Sequence, residues 1–76
     1  MKIKVKVIGY FIYQSGFSEK ELDLPPSTTA GDLLALLNIK RRLPRIMMLN
    51  GKGIGPEKEL EEGDRIVIAP LAGGGC

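Results

Sequence analysis

The first residues alternate: Lys2, Lys4 and Lys6 interleave with Ile3, Val5 and Val7. Strand side chains point to opposite faces in turn, so this period of two describes a strand with one wet and one buried face, running on into Ile8. Gly9 interrupts a stretch, YFIYQSGFS, whose aromatics keep no clean period, and it reads as the end of a hairpin and its loop. In EKELDL the alternation resumes, with Leu22 and Leu24 on the core side. Pro25 and Pro26 stop it, because proline lacks the donor a sheet ladder needs. The period then changes. Within TTAGDLLALLN, Ala30, Leu33, Leu34 and Leu37 fall at helical spacing and Leu36 widens the stripe. Thr29 is placed to cap the first turn, and Asp32, at the positive end of the helix dipole, to reach back to the cap's amide. Asn38 is the expected stop.

After a basic linker, RIMML reads as a third strand, and Asn50–Gly51 as a tight turn, since both residues tolerate positive backbone dihedrals. The turn-rich KGIGPEKELEEGD can supply a short strand near Lys52 to Ile54 and a helical turn before Leu60, which should point inward. Gly63 and Asp64 make the next turn, and RIVIAP forms the last strand, ended by Pro70. The order is strand, strand, helix, strand, short strand, strand. A helix following a hairpin covers one face of a mixed sheet, and the apolar run Ile66, Val67, Ile68 marks the last strand as central. First and last strands would lie side by side and parallel, as the long excursion between them permits.

That arrangement is an α+β β-grasp: a mixed sheet of four to five strands with one main helix packed on one face. Ile3, Val5, Val7, Leu22, Leu24, Leu33, Leu37, Ile46, Met48, Leu60, Ile66 and Ile68 form the expected core. If Ile46 and Met48 face the helix, alternation sends Met47 and Leu49 to the other side together with Val67. This would be an exposed apolar patch beside the last strand, unless loops or YFIYQSGF cover it.

Composition narrows the chemistry. A chain of 76 residues is one domain that buries only about 60% of its unfolded surface, which leaves no room for a multi-step active-site cleft. Lys plus Arg number 11 against 9 Asp plus Glu, too even a balance for a surface that is basic throughout. With one cysteine and no histidine, neither an internal disulfide, nor the common zinc-ligand sets, nor histidine-based acid/base chemistry can be assembled. MKIKVKVIGY alternates where a signal peptide needs an unbroken apolar stretch, and no apolar run approaches membrane-spanning length. A cytoplasmic protein without bound cofactor, nucleic acid or membrane is expected. The run KRRLPR lacks interleaved aromatics and reads as a solvated loop, with steering toward an acidic partner as its secondary use. GKGIG lacks the glycine, lysine and hydroxyl spacing of a phosphate loop.

Past Pro70 the composition changes again, to LAGGGC, which offers a core almost nothing beyond Leu71. The expected division is a domain over residues 1–70 and a mobile tail over 71–76. Consecutive glycines can thread a narrow channel and lie flat against another backbone.

Asn50–Gly51, Leu60 and the stretch EGDRIVIAPLAGG, from Glu62 to Gly74, resemble the ubiquitin-like sulfur carriers of the MoaD and ThiS type, and the likeness follows the element order of the whole chain. The resemblance implies a C-terminal diglycine whose carboxylate is adenylated by an E1-like enzyme of the MoeB or ThiF type using ATP. The product is converted to a thiocarboxylate, and its sulfur passes to an acceptor through a synthase subunit, molybdopterin synthesis being the nearest likeness. The carrier would be a co-substrate rather than an enzyme. Gly74 and Gly75 would carry the role, with Gly73 and Cys76 in the tail, and Met47, Leu49, Val67 and Leu71 as partner-binding residues. Cys76 departs from the pattern. It would be removed by a metalloprotease, or mimic the adduct of relatives that build cysteine on a carrier, or be incidental. Thiamin and other sulfur routes stay open, as do a modifier conjugated to lysines and an inert interaction module.

Overall fold

A computed structural model of the chain describes residues 1–39 and 44–70. Within them, β1 (Lys2–Val7), α1 (Phe11–Ser15), β2 (Glu19–Asp23), α2 (Ala30–Leu36), β3 (Arg45–Leu49), β4 (Lys52–Ile54) and β5 (Arg65–Pro70) follow in order. The strands form one sheet, ordered β2-β1-β5-β3-β4. β1 and β5 pair in parallel, and the β1–β2, β3–β5 and β3–β4 pairs are antiparallel. The β-grasp read from the periodicities is the fold, with β5 at the centre of the sheet.

α2 forms where its stripe and caps coincide. Thr29 Oγ1 accepts from the Asp32 amide at 3.1 Å, and Asp32 Oδ2 accepts from the Thr29 amide at 3.1 Å, completing the capping box. At the other end Asn38 takes φ 65°, the Ile39 amide donates to the Leu34 carbonyl at 3.0 Å and the Asn38 amide to Ala35 at 3.1 Å. This is a Schellman closure, and Ile39 and Leu34, the residues at its two ends, are both buried in the core. Leu36 falls off the buried stripe and is 63% exposed, where the sequence suggested that it widened it.

Other expectations change as well. YFIYQSGFS contains the single-turn helix α1, closed by Gly16 at φ 87°, and Phe11 on it is fully buried. The aromatics lack a strand period because one of them turns inward from a helix. Pro56 and Glu57 form a turn rather than a helical turn, yet Leu60 is buried as expected.

The main correction concerns β3. Met47 and Leu49 are buried, at 5% and 7% exposure, whereas Ile46 is 42% exposed and Met48 half-buried. Pairing decides the phase: Met47 stands opposite Ile68 and Leu49 opposite Ile66, and directly opposed residues share a face. Ile46 and Met48 therefore belong to the open face, and Met47 and Leu49 are core residues rather than partner-binding ones. Arg45, half-buried at the first position of the strand, shares the core-side phase of Met47 and Leu49.

Candidate functional site

The chain leaves the sheet at Pro70, the last residue of the central strand. Two neighbours hold that point. On one side the Ile8 amide donates to the Ile68 carbonyl at 2.9 Å, extending the parallel pairing beyond Val7. On the other, Pro70 is in register with Arg45. Gly9, at φ 72°, lets the chain turn from β1 into α1, and its lack of a side chain lets the Pro70 ring lie directly on it. A Cβ there would stand 2.9 Å from Pro70 Cγ.

Around this exit the open face is apolar. Ile46 stands opposite Ala69, and Met48 opposite Val67. Ile8 follows the open-face phase of Lys2, Lys4 and Lys6, and at 42% exposure replaces the lysine that phase would bring. Val67, Met48 and Ala69 are half-buried. Farther from the exit the same face becomes cationic, with Lys4 beside Arg65 and Lys6 beside Val67. Among the described residues the ion pair within 4.0 Å joins the Met1 ammonium to Asp23, so those three cations have no such partner. Of the apolar patch expected from the sequence, Val67 is on the outer face; Met47 and Leu49 are not, and Ile8, Ile46, Met48 and Ala69 stand there with it.

Of the sequence-level candidates, Val67 lies on this patch, and Met47 and Leu49 lie behind it in the core. Leu71, Gly73, Gly74, Gly75 and Cys76 lie outside the described residues. Ile8 and Ile46 were missed as surface residues. Ile8 carried a signal: it is the first apolar side chain in the phase otherwise held by lysines. Ile46 carried none, because four apolar residues in a row conceal which phase is buried. Among the described residues no group of three or more metal-ligating side chains is placed to hold an ion, and no helix is long and apolar enough to cross a membrane.

The arrangement defines a class: a β-grasp body with an apolar face around the end of its central strand, which leads into a glycine-rich segment. The family model of the ThiS family matches residues 5–75, and the chain belongs to that family. Solved structures agree in fold. A putative molybdopterin converting factor, subunit 1, from Pyrococcus furiosus is similar with a TM-score of 0.75 and 23% identity, over 92% of this chain and 97% of that one. Small archaeal modifier protein 1 of Haloferax volcanii is similar with a TM-score of 0.74 and 17% identity, over 91% and 95%. Part of a complex between subunits 1 and 2 of molybdopterin-converting factor from Helicobacter pylori is similar with a TM-score of 0.64 and 21% identity, over 92% and 93%. Identities this low speak for the fold alone. No curated protein sequence gives a significant match.

Proposed function

We propose that this protein is a cytoplasmic sulfur carrier activated at Gly75, with Gly74 before it, after a metalloprotease removes Cys76. The observation that carries this reading is the extent of the family match, which runs through Gly73, Gly74 and Gly75 and stops short of Cys76. A carboxylate is a poor electrophile. An E1-like enzyme using ATP would convert it to an acyl adenylate, whose leaving group a sulfur nucleophile can displace to give the thiocarboxylate. Glycine suits this step because it presents no side chain to obstruct the attack. The chain would act as co-substrate, its ATP held by the activating enzyme.

Ile8, Ile46, Val67 and Ala69 surround the point where the tail begins, and with Leu71 they would seat the body on the activating enzyme and then on a synthase subunit. The two-subunit Helicobacter pylori complex supports a synthase partner and a molybdopterin-type acceptor. A second reading, a modifier transferred to lysines, is favoured by the likeness to the small archaeal modifier protein.

Intact-mass analysis separates these readings. The chain ending at Gly75 is incubated with its activating enzyme, ATP and a sulfur donor. Replacement of one terminal oxygen by sulfur is the result expected. Isopeptide-linked lysines in place of that mass change would establish the modifier, and neither product would remove both.

A further inference from the structure

Among the described residues no strand pairs with the outer edge of β2, and the two faces at this edge differ in chemistry. The Val7 amide donates to the Ser18 carbonyl, and the Leu24 amide to the Met1 carbonyl. With the register Ile3↔Leu22 and Val5↔Lys20, this puts the main-chain groups of Lys20 and Leu22 toward β1. Those of Glu19, Glu21 and Asp23 consequently point away from the sheet, available to another strand. Their side chains share the open face with Lys6, Lys4 and Lys2, which stand opposite them. On the helix side, a groove between β2, α1 and α2 is lined by Gln14, Phe17, Lys20, Leu22, Leu36 and Leu37. Phe17 and Leu22 are half-buried against the core, and Leu36 is largely exposed. Gln14 Oε1, in the groove wall, is buried with no hydrogen-bond partner among the described residues.

We infer that this edge binds an extended segment of another protein in which basic and apolar residues alternate, adding a sixth strand beside β2. Residues placed opposite Glu19, Glu21 and Asp23 lie on the open face, where lysine or arginine would continue the rows of alternating sign that Lys2, Lys4 and Lys6 begin. Residues placed opposite Lys20 and Leu22 lie on the other face and reach Phe17 and Leu36, so they must be apolar. A second copy of β2 does not meet this requirement: antiparallel pairing centred on Glu21 would set Glu21 against Glu21 and Glu19 against Asp23. The acidic row thus rejects self-pairing and selects a basic strand. β1 separates this edge from β5, so the Pro70 exit stays free when the edge is filled.

The test is a titration of the isotope-labelled chain with a short synthetic peptide of alternating lysine and valine, followed by amide NMR. Saturable shifts at Phe17, Glu19 to Asp23 and Leu36 are expected, with slowed hydrogen exchange at the Glu19, Glu21 and Asp23 amides. Glu21→Pro removes one outward donor at an edge position that tolerates proline, and should weaken binding about three- to tenfold. Leu36→Asp, at an exposed site, should weaken it at least as much without unfolding the chain. Equal binding by a peptide with its lysines and valines in separate blocks would overturn the inference, as would shifts confined to Val67 and Ile46, or no saturable shift, which would leave the acids as a guard against self-pairing only.

Discussion

Met47 and Ile68 face each other across the β3–β5 pair, both turned to the core, at 5% and 0% exposure. Their neighbours Ile46 and Ala69 oppose each other on the outer surface. Met47→Ala should therefore cost about 2–5 kcal/mol, the range for truncating a buried methionine, whereas Ile46→Ala should stay below about 1 kcal/mol. Urea denaturation of both variants checks the order. A larger loss for Ile46→Ala would mean that the phase of β3 is wrong.

Gly9 and Pro70 make a second test. Alanine at position 9 must adopt φ 72° and place its Cβ 2.9 Å from Pro70 Cγ. The dihedral alone costs about 1–2 kcal/mol, and relieving the overlap must shift the Pro70 ring. Gly9→Ala is expected to lower the denaturation midpoint and to move the amide resonances of Ile68 and Ala69. A variant as stable as the parent, with those resonances unchanged, would show that the contact is not close.

The capping box predicts a coupled loss. Thr29→Ala and Asp32→Ala each remove one 3.1 Å hydrogen bond at the start of α2. Each should cost about 0.5–2 kcal/mol. Because the bonds are reciprocal, the double variant should lose less than the sum of the two, and a double-mutant cycle by thermal or chemical unfolding measures the difference.

The apolar rim of the exit predicts a separation of stability from activation. Ile46→Asp or Val67→Asp places a carboxylate on a surface already in contact with water, so the fold should survive with its circular dichroism unchanged. If the open face seats the activating enzyme, either variant should raise the KM for adenylation about tenfold or more, as expected when a charge is left unpaired in an apolar contact. An unchanged KM would move the docking surface elsewhere.

Much of this fold is legible in the sequence, and its failures share a cause. Where apolar and polar residues alternate, as in Lys2 to Val7, or recur at helical spacing, as in Ala30 to Leu37, local pattern and tertiary burial agree. In RIMML the pattern is silent, and the phase comes from a partner, β5, that is remote in the chain. Phe11 is hidden for a related reason: a single turn of helix is too short to display a period, so its inward side chain looks like any aromatic in a loop. The family likeness points to the glycines, but the residues surrounding the exit are assembled from β1, β3 and β5 and become visible only in three dimensions.

The position of β5 has a consequence for how the molecule is made. In the sheet of the described residues the β1–β2 and β3–β4 pairs are joined by β5, the strand translated after both of them. A two-stranded hairpin is marginal in water, so a nascent or truncated chain that stops before Arg65 lacks the piece that joins the halves. Topology thereby checks the product as far as Pro70: the body closes only once the strand that leads to the glycines has been made, and a chain cut short before it has no finished surface for an enzyme to grip.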